Sequence, residues 1–329
     1  MSVMGRARRP LYESLLVSLG LYATLSAVVT PLNFPYDTDP AADVSAQTGL
    51  KQYYDGAYKA PRKSEPAPAA TAGTLSAEQD KYVELGRYVS LGLGIPEEIR
   101  RFVETRRLKD KRVLEIGAGS GLLQDIVDDY TALDISPAAR RFFHKPFVEA
   151  SATAMPFADN TFDAAWSIYT LEHIPNPEKA LSEMRRVVKN NGYILLRPAW
   201  NCTPWAAEGY EVRPFSDFGW KGKSTKASLW IRGHGLYRLL YGPQIRAIRA
   251  VSTRLSGKPS RMRFTRLTPN YAQYWMPDSD AVVSLDYHEA YLWFKTRGDV
   301  CLNCPNEALL VTETVLQPQT IAVQVRKRS

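Results

Sequence analysis

From residue 111 onward, short apolar segments alternate with amphipathic ones. The apolar segments predict strands at Arg112 to Ile116, Tyr130 to Ile135, Phe162 to Ile168 and Tyr193 to Leu196. The intervening segments predict helices at Leu122 to Asp128, Pro137 to His144 and Pro177 to Lys189. Strands alternating with helices build a mostly parallel sheet that is covered on both faces. We therefore predict an α/β fold with a Rossmann-like, doubly wound sheet.

The first thirty residues are apolar behind a basic cluster. Leu11 to Thr30 contains a single charge, Glu13, and follows Arg6, Arg8 and Arg9. This pattern leaves four interpretations of residues 1–30 open: a membrane span, a signal peptide, a helix in the membrane interface, or a helix packed on the protein itself.

The rest of the chain divides by composition. Residues 31–74 are rich in Pro, Ala, Asp and Thr and predict a linker. The core is predicted at 75–198, where Ser76 caps a helix that runs to about Ser90 and Pro96 opens another. A helix from Tyr287 to Arg297 and strands at Val300 to Leu302 and Ala308 to Val315 are predicted to close the core within 281–316. Their antiparallel pairing gives the sheet an antiparallel last strand, and residues 317–329 form a tail.

An insertion is predicted at 199–280, at the sheet end where ligands bind in such folds. Between Arg213 and Arg266 it holds thirteen Lys and Arg residues against one acid, Asp217, while the whole chain carries a net charge of +8. Apolar residues recur at near-helical spacing from Leu236 to Leu255, with Pro243 expected to interrupt the helix. A membrane interface, a phosphate-bearing acceptor and a solvated basic face all fit this pattern. Nucleic acid is a further alternative, because the insertion's tryptophans offer stacking surfaces: Trp205, Trp220 and Trp230.

A glycine-rich turn follows the first strand, with glycines at 117, 119 and 121. A dinucleotide-binding loop needs its third glycine at position 122, where Leu122 stands, so the spacing excludes that motif. Glycine has no Cβ and tolerates positive φ, so this turn lets the backbone approach a bulky ligand. Glu115 and Asp134 place carboxylates at two strand ends, where the first suits a cationic ligand and the second suits the hydroxyls of a ribose.

Together these motifs resemble the class I methyltransferases of the ubiquinone/menaquinone-biosynthesis type. The resemblance covers about 85 consecutive residues and rests on Val113 to Gly121, Leu133 to Pro137, Ala154 to Asp163, Leu171 to Pro175 and Leu181 to Gly192. It implies S-adenosylmethionine as the cofactor and methyl transfer as the activity.

The resemblance also implies where the cofactor lies. Glu115, Gly117 and Gly119 would line its methionine part, and Asp134 would hold the ribose. Ser151, Ala152 and Met155 would border the adenine, although relatives often carry an acid where Ser151 stands. The predicted set is completed by Ala118, Gly121, Ile135 and Ser167.

Three residues after the fourth strand are candidates on the acceptor side. If the acceptor is a hydroxyl, a nearby group must take its proton, and histidine has a suitable pKa. His173 is therefore the candidate base, with Tyr169 and Glu172 lining the same pocket. The alternative is that His173 caps the next helix or shapes the wall.

The chain has three cysteines, too few for a disulfide framework, and they suit a reducing compartment. Cys301 and Cys304 are spaced as in zinc or redox sites, but a structural zinc needs four ligands, so no metal is predicted and two ordinary thiols are favoured.

The expected function is methylation of an oxygen, with a carbon as the alternative, on a small or lipid-linked acceptor such as a glycan or quinone precursor, in the cytoplasm or peripherally at an anionic membrane. The alternatives are an RNA or protein methyltransferase and a non-catalytic cofactor-binding subunit.

Overall fold

The computed structural model describes residues 16–24, 44–59, 91–232, 235–273, 275–304 and 320–327. Residues 16–24 form a short helix, and six further helices follow: α1 (Val44–Lys59), α2 (Ile95–Arg106), α3 (Pro177–Val187), α4 (Trp220–Arg232), α5 (Gly235–Ser256) and α6 (Tyr287–Lys295). Single 3-10 turns lie at Pro137–Phe142, Leu171–His173 and Phe215–Asp217.

A seven-stranded sheet forms the centre of the fold. The described residues form nine strands, of which seven belong to this sheet: β1 (Arg112–Ile116), β2 (Asp129–Asp134), β3 (Phe147–Glu149), β4 (Phe162–Ile168), β5 (Val188–Arg197), β6 (Phe264–Arg266), β7 (Val283–Leu285), β8 (Val300–Cys301) and β9 (Ile321–Gln324). The sheet order is β3-β2-β1-β4-β5-β9-β8, while β6 and β7 pair separately. The first five strands run parallel, and β9 is antiparallel to both β5 and β8. The predicted doubly wound sheet with an antiparallel last strand is confirmed.

Apolar side chains cover both faces of this sheet. Because successive side chains of a strand alternate, Val113 joins the cluster beneath α2, while Leu114 and Ile116 join the cluster that contains Trp293 of α6. Burial on both faces explains why the strands are nearly continuous apolar runs in the sequence.

Two predicted crossover helices are wrong. Residues 122–128 form turns instead of a helix, and the segment predicted at Pro137 to His144 is the 3-10 turn. The Gln124 side chain accounts for the first difference, because its Nε2 donates to the carbonyl oxygens of Gly121 (3.1 Å) and Phe142 (3.0 Å). Its Oε1 also accepts from the His144 backbone N–H (3.1 Å). One amide thus holds both connections in tight turns.

The linker predicted over 31–74 is wrong for residues 44–59, which form α1. Leu50, Tyr54 and Ala57 are buried at helical spacing, so this helix packs on the domain. The other linker residues, the helix predicted from Ser76 to Ser90 and most of residues 1–30 lie outside the described residues.

The closing elements are found in part where they were predicted. α6 and β8 match the predicted helix and first strand, whereas the strand predicted at Ala308 to Val315 lies outside the described residues. The strand that pairs with β5 is β9, which lies within the predicted tail.

The prediction of two ordinary thiols is wrong, because Cys301 and Cys304 form a disulfide. The turn after β8 brings their Cα atoms to 5.6 Å, within the normal range for such a bond.

The segment predicted as an insertion, residues 199–280, contains helices α4 and α5 and the strand β6, and its end returns to the core. α5 continues through Pro243, which was expected to interrupt it. Directly after this segment, Val282 N donates to Glu172 O (3.0 Å), so the chain that leaves the insertion contacts the turn that bears His173. Trp205 is buried and its Nε1 donates to Glu211 (2.6 Å), which removes it as a stacking surface.

The described part of the chain contains no helix both long and apolar enough to cross a bilayer.

Candidate active site

The glycine turn lies between β1 and the end of β2. Gly117, Gly119 and Gly121 have φ values of 69°, 50° and 71°, a region that side-chain-bearing residues rarely adopt. The Gly117 and Ala118 N–H groups both donate to Leu133 O, at 2.8 and 3.2 Å. A Cβ at position 117 would collide with the Thr170 side chain. The positive φ values that the glycine turn was expected to need are present, and its approach to a ligand stays a prediction.

Asp134 ends β2 facing this turn. Its Oδ2 accepts from Gly119 N and its Oδ1 from Ser136 N, both at 2.9 Å. Burial raises the pKa of Asp134 to about 6, although the two backbone N–H groups favour the carboxylate. Each oxygen retains a lone pair that can accept a hydrogen bond from a ligand hydroxyl.

A cavity of about 690 Å³, including its open mouth, lies above these strand ends. Seven of the sequence-predicted site residues line it: Gly117, Asp134, Ile135, Ser151, Ala152, Tyr169 and His173. The candidate cofactor and acceptor residues therefore share one cavity. Tyr169 holds a backbone φ of 48°, and its N–H donates to Arg197 O (2.9 Å).

The other predicted residues lie around this lining. Ala118, Gly119 and Gly121 form the turn, whereas Met155 and Ser167 are buried in and beside the core. Met155 N donates to Glu183 Oε2 (3.0 Å), and Ser167 pairs in register with Ile116.

Glu115 is not brought to the cavity. It shares the α2 side of the sheet with Val113 because strand side chains alternate. There the Tyr130 hydroxyl donates to its Oε2 (2.5 Å). Burial raises the pKa of Glu115 to about 7, and the Tyr130 hydrogen bond opposes that rise.

On the acceptor side, His173 lies between two carboxylates. Its Nδ1 is 3.4 Å from Asp280 O and 3.8 Å from Asp280 Oδ2, and its Nε2 is 3.8 Å from Glu172 Oε1. Burial disfavours the charged ring, but Asp280 and Glu172 outweigh it and raise the pKa of His173. Within the described ranges, no group of His, Cys, Asp and Glu side chains is arranged to hold a metal ion.

Glu172 lies behind His173 and outside the cavity lining. Its Oε1 accepts from Ala199 N (3.1 Å), and its Oε2 has no hydrogen-bond partner among the described residues. Burial raises the pKa of Glu172 to about 7, with His173 opposing the rise.

Sequence reasoning missed the residues that α1 contributes. Leu50, Tyr54 and Tyr58 line the cavity. The Tyr54 hydroxyl donates to Asp280 Oδ2 (3.1 Å), and its ring lies edge-on to His173 at 5.8 Å between centroids. The signal available was a pair of tyrosines one helical turn apart.

Thr170 and Asp280 were missed as well. Thr170 lies against Gly117, and Asp280 closes the insertion where it meets the core. The cavity thus joins a carboxylate and a bare backbone turn at one end to an imidazole with carboxylates at the other. Such an arrangement can bind a nucleoside and accept a proton from a second ligand.

The raised pKa of Glu115 predicts a pH-dependent stability. The folded protein retains a proton that the unfolded chain loses, so this contribution is complete below the ordinary value of 4.5 and is lost as pH rises through about 7. We expect the free energy of unfolding of Glu115→Gln to exceed that of the wild type by about 1–3 kcal/mol near pH 8 and to differ little from it near pH 5. Urea titrations across this range measure the difference.

The control is Glu97→Gln, which alters an exposed acid paired with Arg100 at the surface and should change stability by less than about 0.5 kcal/mol. Parallel pH profiles for the wild type and Glu115→Gln would contradict the prediction.

Comparison with known proteins identifies the core. Residues 114–196 match the family described as "Methyltransferase domain". The chain is 36% identical over 117 residues to demethylmenaquinone methyltransferase of Renibacterium salmoninarum, covering 32% of this chain and 49% of that protein. It is 35% identical over 98 residues to sterol 4-C-methyltransferase of Caenorhabditis elegans, covering 25% and 29%. The chain thus spans about half, or less, of these relatives.

Solved structures are similar over part of the chain. The YcgJ protein from Bacillus subtilis shares 28% identity at a TM-score of 0.27, covering 28% of this chain and 46% of that one. A sugar N-methyltransferase from Streptoalloteichus shares 19% identity at a TM-score of 0.32, covering 43% and 61%. Residues 114–196 thus form a methyltransferase domain, and the order of the parallel strands is that of the class I, S-adenosylmethionine-dependent enzymes.

Proposed function

We propose that the chain transfers a methyl group from S-adenosylmethionine to an oxygen of a small or lipid-linked acceptor, such as a quinone or glycan precursor. The observation that carries this proposal is the single cavity lined by Gly117, Asp134 and His173. A quinone-type and a sterol-type relative support an apolar acceptor.

The residues at one end of the cavity fit the cofactor. Gly117 lines the cavity with bare backbone at a left-handed φ of 69°, and the Asp134 carboxylate suits the ribose hydroxyls. Leu133, Ile135 and Ala152 offer apolar surface to an adenine. When bound, the cofactor supplies an already activated methyl group on a sulfonium. The main tasks left to the protein are positioning and exclusion of water.

The residues at the other end suit proton transfer. Neutral His173 can take the proton of an acceptor hydroxyl, and the charges of Asp280 and Glu172 stabilise the imidazolium that results. Because the pKa of His173 is raised, the base is largely protonated at low pH, so the rate should increase as pH rises through that pKa. Tyr54 and Tyr58 of α1 cover the cavity and exclude water.

Gly117→Ala should weaken cofactor binding by more than about tenfold, because the added methyl collides with the Thr170 side chain and the turn that lines the cavity must shift. Equilibrium dialysis with radiolabelled S-adenosylmethionine measures the affinity. Gly257→Ala is the matched control, since Gly257 has a similar φ of 61° but open space around it. It should cost only about 1–2 kcal/mol of folding stability and leave affinity unchanged. Equal binding by the wild type and Gly117→Ala would contradict this assignment.

The acceptor is tested by incubating the purified chain with methyl-labelled cofactor and separate lipid, RNA, protein and small-molecule fractions. We expect label in the lipid or small-molecule fraction. We also expect His173→Gln to reduce kcat by about 10²–10⁴ with the cofactor affinity retained. Asp280→Asn should move the rising limb of the pH profile to lower pH, because it removes a charge that raises the pKa of His173.

His144→Gln is the control, since the His144 side chain is exposed and pairs with Asp125 at the surface. Label in RNA or protein would favour the alternative acceptors. Cofactor binding without turnover on any fraction would favour a non-catalytic subunit.

A further inference from the structure

Helix α5 turns apolar side chains toward solvent. Ile248, Val251 and Leu255 recur at helical spacing on one face and are 70%, 58% and 82% exposed. Monomeric soluble proteins rarely expose large contiguous apolar patches, and such patches mark interaction sites. We therefore expect the face formed by Ile248, Val251 and Leu255 to contact an apolar partner.

The opposite face of α5 holds the helix to the domain through charges. Arg246 pairs with Asp286 (3.0 Å), and Arg249 pairs with Glu289 (2.9 Å). Both acids belong to the start of α6, where Glu289 is buried. An amphipathic helix of a soluble protein normally buries its apolar stripe. In α5 the reverse holds: Arg246 and Arg249 face the domain, and the apolar stripe faces solvent. The exposed stripe is therefore a distinct apolar face of the helix.

Helix α4, which precedes α5, presents a second face of similar character. Trp220 and Trp230 lie on the same side of the helix and are 77% and 63% exposed. Lys223 lies between them on that side, and Lys221 is exposed next to Trp220. Tryptophan beside lysine is typical of surfaces at the level of lipid headgroups.

The short helix of residues 16–24 extends the face of α4. The Tyr22 ring lies 6.2 Å from that of Trp230, and its hydroxyl donates to Ile231 O (3.5 Å). Its Leu16, Val17 and Leu21 side chains are exposed. The apolar N-terminal segment and the basic insertion therefore meet.

We propose that α4, α5 and residues 16–24 form a docking surface for an anionic lipid bilayer. The exposed apolar side chains enter the headgroup boundary, and the exposed cations Lys221, Lys223 and Arg254 complement lipid phosphates. This charge complementarity favours a membrane over an apolar protein partner. The proposal goes beyond methyl transfer, because docking requires neither cofactor nor acceptor.

Co-sedimentation of the full chain with vesicles tests this surface, using phosphatidylcholine with and without phosphatidylglycerol. We expect binding that increases with the anionic lipid. Combining Ile248→Gln, Val251→Gln and Leu255→Gln should lower the partition coefficient by about a hundredfold. Combining Lys221→Gln, Lys223→Gln and Arg254→Gln should lower it by about fivefold per charge, and only on anionic vesicles.

The matched control combines Leu91→Gln, Leu93→Gln and Val300→Gln, which removes three exposed apolar side chains from other elements and should leave partitioning unchanged. Thermal melts followed by circular dichroism verify that each variant is folded. Failure of the wild type to bind either vesicle, or equal losses in the control and the α5 variant, would overturn the proposal.

Two other occupants have distinct signatures. A wild-type dimer that the α5 variant converts to monomer, seen by light scattering without vesicles, would assign this face to a second copy and overturn the proposal. Single-stranded RNA binding that Trp220→Ala with Trp230→Ala abolishes, while the same variant binds anionic vesicles as the wild type does, would also overturn it, because the tryptophan face would then serve nucleic acid.

Discussion

The carboxylate of Asp134 is the anchor on which the candidate site depends. By accepting from Gly119 N and Ser136 N, one buried side chain fixes both the turn after β1 and the turn after β2. The turn after β1 makes two further backbone hydrogen bonds, from the Gly117 and Ala118 N–H groups to Leu133 O. A buried, hydrogen-bonded carboxylate is costly unless it stays satisfied, so this network holds the backbone in a narrow set of conformations. The cavity lies beside this turn, and Gly117, Asp134 and Ile135 belong to its lining.

Segments from outside the core complete the site. The insertion supplies Asp280, which faces His173, and α1 supplies Tyr54, which donates to Asp280. The insertion also carries α5, whose arginines bind the domain while its apolar face points outward. One added segment therefore provides both the charge behind the candidate base and the surface that we assign to a membrane. An apolar acceptor would be available in the bilayer, next to the surface that we propose for docking.

The sequence predicted the four central strands of the sheet, but it missed β3, placed β9 in the tail and did not give everything that covers the sheet. Strands buried on both faces are apolar runs, so β1 and β4 were predicted almost to the residue. Helix α1 was missed because its buried face is built from tyrosine, alanine and a single leucine, and because its contact with Asp280 joins residues 226 positions apart. The side to which Glu115 points could have been deduced, since strand alternation places it with Val113. The pairing of His173 with Asp280 could not, because no local pattern encodes a contact across an insertion.

The most direct test of the account is calorimetric titration of the wild type and Asp134→Asn with S-adenosylhomocysteine, and of the wild type with a nicotinamide dinucleotide. The account predicts that S-adenosylhomocysteine gives a saturable binding heat with the wild type. Its affinity for Asp134→Asn should be at least about tenfold weaker, because the amide presents one acceptor oxygen in place of two. It predicts no heat with the dinucleotide. Binding of the dinucleotide alone, or equal affinity of both proteins for the nucleoside, would contradict it.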